Sequence, residues 1–225
     1  MKTFTKEELD TILAKHLKWL KDEEGGERAD LNYANLAGAN LQNVNLEGAS
    51  FRYANLERAN LEGAHLERAD LWSANFEGAN LEWANLVGAY LEGANLVWAN
   101  LVWANLTDAN LAVANLAWVN LADSNLAGAN LARANLTDAN LTDANLKGAD
   151  LRHADLVGAN ITGSNLDEAF LSKANPDPIS ATQPNVMSDN LIEALSEHNE
   201  CVKPTCECGK DKHGFASHSS WCPCN

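Results

Sequence analysis

The sequence predicts an all-β solenoid with an α-helical cap at its N-terminal end and a Cys-rich tail behind it. Three observations carry the prediction. Residues 29–175 repeat the phrase Ala-Asn-Leu-x-x without a slip of register, as in Ala34-Asn35-Leu36, Ala79-Asn80-Leu81 and Ala139-Asn140-Leu141. The 29 complete copies place a large apolar residue at every number ending in 1 or 6, Leu in 26 of them and Phe51, Phe76 and Ile161 in the others. Ten copies carry Gly at the second variable position, among them Gly38, Gly63, Gly93 and Gly158. A period of five fits neither the 3.6 of a helix nor the 2 of a strand, so neither can run on through many copies. A short extended segment closed by a turn does fit, and Gly is suited to such turns.

The chain opens on a helix. Thr5-Lys6-Glu7-Glu8 has the spacing of a capping box, in which the Thr hydroxyl and the Glu carboxylate each satisfy an orphan backbone N–H. Leu9, Ile12, Leu13, Leu17 and Leu20 follow at helical spacing as one apolar stripe, and Gly25-Gly26 is expected to end the helix. The first coil of a repeat stack exposes apolar side chains and unpaired strand groups, so residues 1–26 read as its lid. His16 and Trp19 read as packing residues of that lid.

Within a repeat, strand alternation sends Ala29 and Leu31 inward and Asp30 outward. The residue before the large apolar one is Asn or Asp in every copy except at Ser50, His65, Tyr90 and Phe170. Stacked Asn side chains can bond neighbouring backbone and form a ladder, a structural role. Each buried Leu is worth roughly 1.5–3 kcal/mol of transfer free energy.

These features closely resemble the pentapeptide repeat family, whose motif is a small residue, Asn or Asp, Leu and two variable positions. The resemblance covers residues 27–175, about two-thirds of the chain. It implies a right-handed quadrilateral β-helix in which four copies make a 20-residue coil and residues 20 apart stack. The rod would then have about seven coils and a length on the order of 35 Å, at ~4.8 Å per layer.

Function has to be read from the variable positions, because the fold dictates the others. Early coils carry Glu47, Arg52, Glu57, Arg58, Glu62, Glu67 and Arg68, and later ones Thr137, Asp138, Thr142, Asp143 and Lys147. Between them, Trp83, Val87, Val97, Trp98, Val102, Trp103, Val113 and Trp118 form an apolar belt. Stacking places Trp83 below Trp103 and Trp98 below Trp118, and the four are expected to make one aromatic edge. One reading is that a corner Trp only packs against its stack neighbours; the other is that an exposed apolar belt of this size marks a contact with a protein partner, most simply a homodimer.

The formal net charge of -15 argues against nucleic-acid or anionic-membrane binding, both of which need a basic face. The chain shows no run of about 18 apolar residues and no basic-then-apolar leader, and it reads as a soluble cytoplasmic protein. No catalytic constellation is present: His65 and His153 are isolated, and no nucleophile-elbow, phosphate-loop or dinucleotide fingerprint occurs. The rod is therefore expected not to be an enzyme.

Pro176, Pro178 and Pro184 make residues 176–187 a stiff polar linker. Within the tail, residues 188–225, a short helix is expected over 188–197 with Leu191, Ile192 and Leu195 on one side. All five cysteines lie in the last 25 residues, an odd number that rules out complete internal pairing. Thiolates and imidazole in close sequence suit a tetrahedral zinc, with Cys206, Cys208, His218 and Cys222 as the preferred ligands. Cys224 is the alternative ligand and His213 a lesser one; disulfides or free reactive thiols are the competing reading. The ending resembles short Cys/His-rich tails of bacterial and phage proteins.

Three functions follow. The first is a non-enzymatic scaffold that binds a protein partner through exposed faces of the rod. The resemblance also implies a DNA-mimic that occupies the basic saddle of a type II topoisomerase such as gyrase. Gyrase-protecting members are marked by loops that interrupt the repeats and by a C-terminal dimer module, and this sequence has neither; Arg52, Arg58, Arg68, Arg133 and Arg152 also interrupt its acidic stripes. The third is a phage or virion structural component, which would place the protein in the virion.

Overall fold

The computed structural model describes residues 1–171 and 174. Parallel backbone bridges join positions before the large apolar residues to those 20 residues later, from Asp30 with Ser50 to Asp150 with Phe170, with a gap at Asn145 and Asn165. Four repeats lie between bridged residues, so each coil has four sides. Each side offers a single bridging residue before the chain turns, which is why extended strands do not develop along the rod.

One repeat accounts for all five of its backbone donors. The Leu96 N–H donates to the Asn115 carbonyl at 2.7 Å, Trp98 to Ala117 at 3.3 Å, and Asn100 back to Ala79 at 2.9 Å. The Ala99 N–H closes the turn on the Leu96 carbonyl at 3.0 Å. The fifth donor, Val97 N–H, has no carbonyl to reach, and Asn95 Oδ1 accepts it at 3.3 Å. This is the physical reason for Asn at the position before Leu: its side chain supplies the acceptor that the coil lacks. The other end of the carboxamide joins coils, as Asn95 Nδ2 donates to Asn75 Oδ1 at 2.9 Å and Asn75 Nδ2 to Asn55 Oδ1 at 3.1 Å.

The large apolar residues from Leu31 to Leu171 are all buried, and with the alanines they fill the interior. Every second variable position from Tyr33 to Gly163 has positive φ, whether or not it is Gly. The turn thus demands the left-handed region throughout, and the ten glycines are only the residues that meet the demand without strain.

The N-terminal lid has two parts. Helix α1, Lys6–Leu20, starts at the expected capping box: Glu8 N–H donates to Thr5 Oγ1 at 3.2 Å and Thr5 N–H to Glu8 Oε2 at 2.8 Å. Leu9, Ile12 and Leu13 pack with Phe4 against the core. Leu17, expected in the stripe, is exposed, and its place is taken by His16, the one fully buried residue of the helix. The helix stops at Leu20 rather than at Gly25-Gly26. Asp22 takes the left-handed conformation, its N–H meets the Trp19 carbonyl, and Glu23 N–H meets that of Lys18. This is the double bond pattern of a Schellman stop. Gly26 serves differently, since a Cβ there would stand 2.4 Å from the Trp19 backbone nitrogen.

The second part is strand β1, Lys2–Thr3, which the sequence did not predict. It pairs in parallel with β2, Ala34–Asn35, in the register Lys2 to Ala34. One edge of the first coil is thereby closed by main chain rather than by helix. At the far end, Leu166–Glu168 winds into a 3-10 turn, so the repeat geometry relaxes before residue 171 although the sequence phrase continues. There Leu146 N–H is accepted by Asn165 Oδ1 at 2.6 Å instead of by a carbonyl.

Candidate interaction surface

The belt tryptophans sit at turn positions, where φ is 60° for Trp83, Trp98, Trp103 and Trp118 alike. Their side chains leave the rod at its corners, with exposures of 57%, 60%, 47% and 49%. Trp83 stacks on Trp103 at 5.3 Å with the planes 7° apart, and Trp98 on Trp118 at 5.0 Å and 12°. The pairing within columns is as expected from the 20-residue stacking. The expected single edge is instead two separate pairs, because no ring contact among the described residues joins one column to the other.

The two columns border one side of the rod. Trp98 precedes the segment 99–102 and Trp103 follows it, so Asn100 and Val102 lie between them, with Asn120 and Ala122 one coil further on. Val87, Val97 and Val102 are half-buried at first variable positions. Along this side the first variable position changes by coil from Glu82, through Val102 and Ala122, to Thr142, and the position just before the Trp98 column changes in step from Glu77, through Val97 and Ala117, to Thr137. The result is an uncharged band framed by indole rings on an acidic rod.

Elsewhere two of the arginines are drawn into close local pairs. Arg52 Nε donates to Asp70 Oδ2 at 2.5 Å. Arg152 grips Asp150 with Nε to Oδ1 at 2.8 Å and Nη2 to Oδ2 at 2.6 Å. That donated bond, with the Arg152 charge, holds the Asp150 carboxyl below its ordinary range despite some burial. His16 accepts the Ala29 N–H on Nδ1 at 3.1 Å and stacks on Trp19. Burial pushes its pKa down, the Glu47 backbone carbonyl opposes this, and the Arg28 charge adds to the lowering.

A further surface was missed in the sequence. Ser50, Tyr90 and Phe170, three of the four exceptions to the Asn rule, fall on one column, since each lies a multiple of 20 from the others. That shared spacing was the available signal. Beside this column Tyr33 stacks on Tyr53 at 5.0 Å and Tyr53 meets Trp72 edge-on at 4.8 Å.

Among the described residues, no group of three or more His, Cys, Asp and Glu side chains is placed to hold a metal ion, and no helix is long and apolar enough to cross a membrane. The expected zinc ligands Cys206, Cys208, His218, Cys222 and Cys224, the linker and the second helix lie outside the described residues.

The pentapeptide repeats family model matches this chain over residues 29–68, 64–102, 74–112, 114–152 and 139–175, in eight copies. No curated protein matches it. Among solved structures, the chain is similar to HetL, a pentapeptide repeat protein involved in heterocyst differentiation regulation from the cyanobacterium Nostoc sp. strain PCC 7120. Identity is 33% over 64% of this chain and 73% of that one, with a TM-score of 0.34. Rfr23 from the cyanobacterium Cyanothece 51142 is 32% identical over 55% of this chain and 60% of its own, with a TM-score of 0.29. A trypsin-treated variant of QnrB1, a plasmid-mediated fluoroquinolone resistance protein, is 19% identical over 76% and 92%, with a TM-score of 0.44. Repeat phrase, 20-residue stacking and family match agree: the chain belongs to the pentapeptide repeat family, whose members fold as right-handed quadrilateral β-helices.

Proposed function

We propose that the protein is a non-enzymatic scaffold that docks a protein partner, and specifically a second copy of itself, through the side framed by Trp83, Trp98, Trp103 and Trp118. The observation that carries this reading is the exposure of four tryptophans in the left-handed conformation. A non-Gly residue there costs roughly 1–2 kcal/mol, while a stacked aromatic pair returns only about 0.5–1.5 kcal/mol beyond its buried area. Folding alone is therefore better served by Gly, which the same columns use at Gly63 and Gly78.

A second copy is favoured by charge. Two chains of net charge -15 repel wherever acid meets acid, and the indole-framed band with Val102 and Ala122, bordered by Val97 and Ala117, is where that opposition is least. A two-fold axis would bring the tryptophan columns of each copy against those of the other, an isologous contact. A duplex-DNA mimic needs an unbroken acidic stripe instead, and both this band and the Arg52–Asp70 and Arg152–Asp150 pairs break one.

Trp98→Gly with Trp103→Gly tests the proposal without threatening the turns. Light scattering is expected to give a dimer for the wild type and a monomer for the double variant. A wild-type monomer at the highest soluble concentration, or a variant that stays dimeric, overturns the reading.

A further inference from the structure

We propose that the side of the rod carrying Trp72 and Tyr90 binds a neutral carbohydrate, independently of the tryptophan-framed side. The reasoning starts from a place where the sequence abandons what the fold requires. Asn before the apolar residue supplies the acceptor for the fifth backbone N–H of each repeat, as Asn110 does for Ala112 at 3.2 Å. Tyr90 has no such oxygen to offer the Glu92 N–H, and Glu92 is an exposed residue. At Ser50 the short side chain also fails, and Asn32 Oδ1 stands in by accepting the Arg52 N–H at 2.7 Å. These departures share one column, and Tyr90 is the one that opens onto a cleft.

The cleft has a volume of about 380 Å³ and is lined by Arg52, Asp70, Trp72, Tyr90, Glu92 and Asn110. Its volume lies at the lower end of small-molecule sites. Two of its six residues are aromatic, and the other four are charged or amide side chains that between them supply donors and acceptors. Trp72 is half-buried and steadied by the edge contact with Tyr53, while Tyr90 is 54% exposed. An aromatic residue fixed in orientation at one side and open at the other offers its face to a ligand.

The polar groups are set as well. Asn110 Nδ2 donates to Glu92 Oε2 at 3.3 Å, and Arg52 Nε to Asp70 Oδ2 at 2.5 Å. Both carboxylates are thus held in place with an oxygen still able to accept, and the Arg52 terminal nitrogens have donors to give.

A pyranose ring has the matching chemistry: a face of C–H groups that stacks on an aromatic ring, and a rim of hydroxyls that each donate and accept. Charge narrows the class. Asp70 and Glu92 oppose an anionic glycan, and the Arg52 guanidinium in the wall opposes the quaternary ammonium groups that favour aromatic cages. The aromatic strip also continues along the rod through Tyr53 and Tyr33, which suits an extended oligosaccharide more than a single sugar.

The test uses the full chain and a panel of neutral oligosaccharides built on glucose, mannose, galactose and N-acetylglucosamine, followed by saturation-transfer NMR and tryptophan fluorescence. Saturable binding of at least one member is expected. Tyr90→Asn, which restores the repeat consensus and so preserves the fold, should weaken it about tenfold or more, as loss of an anchoring aromatic does. Trp72→Ala should do the same, and Trp98→Gly with Trp103→Gly should leave binding unchanged. Binding of no panel member at millimolar sugar, binding that survives Tyr90→Asn, or binding of choline in place of sugar overturns the proposal.

Discussion

Replacing Asn75 by Ala tests the idea that the residue before each apolar position stabilises the rod by completing its hydrogen bonds. Asn75 Oδ1 accepts from Glu77 N–H at 3.2 Å and from Asn95 Nδ2 at 2.9 Å, and its Nδ2 donates to Asn55 Oδ1 at 3.1 Å. Alanine removes all three. A net hydrogen bond contributes about 0.5–1.5 kcal/mol. Two of the orphaned groups recover, because Glu77 is exposed to water and Asn95 Nδ2 also reaches Glu77 Oε2 at 3.4 Å. The expected loss is therefore at the lower end, about 2 kcal/mol. For a chain of this size that lowers the thermal midpoint by roughly 4–8 °C. Asn75→Asp keeps the acceptor and loses only the donated bond, at the cost of setting a carboxylate against Asn55 Oδ1. It should lose about 1–1.5 kcal/mol at neutral pH, and less in acid, where a protonated carboxyl again has a donor to offer. Urea unfolding followed by circular dichroism at two pH values measures both. An Asn75→Ala variant as stable as wild type, or an Asp variant that is no better than Ala, refutes the accounting.

Two other outcomes follow from named contacts. His16 has its pKa pushed below the ordinary value of 6.5 by burial, so the unfolded chain takes up its proton first. Its stabilising effect is complete above that value and is lost as pH falls from 6.5 toward the lower native pKa, because stability rises with pH wherever the unfolded state binds more protons. The unfolding midpoint and the exchange protection of the Ala29 amide should both drop over that window, and His16→Gln should flatten the dependence. Val113 is β-branched, 51% exposed and held at φ 54°. Val113→Gly removes roughly 1–2 kcal/mol of left-handed strain against about 0.5–1 kcal/mol for the added freedom of glycine, so the urea midpoint should rise slightly; a fall would contradict the strain argument.

Much of this architecture is written in the order of residues. A five-residue phrase repeated over 29 copies leaves no helix or strand able to continue, sends Ala and Leu inward by alternation, and needs Asn to complete each turn. These are local consequences, settled within a few residues of each position. The start of α1 was legible for the same reason, since Thr5 and Glu8 lie within one turn of each other. Its end was not, because Asp22 takes the left-handed conformation and stops the helix before Gly25-Gly26, and β1 was invisible because its partner strand lies some 30 residues away.

The proposed surfaces divide in the same way. That Trp83, Trp98, Trp103 and Trp118 face outward follows from their place in the repeat. That they form two stacked pairs framing one side, rather than a continuous edge, depends on corner geometry and ring orientation. Ser50, Tyr90 and Phe170 read singly as lapses in a motif. Only the wrapping of the chain sets them in one column, above and below Asp70 and Asn110 and beside Arg52, Trp72 and Glu92. The repeat alone decides which side chains leave the rod; the circumference of the coil decides which of them meet.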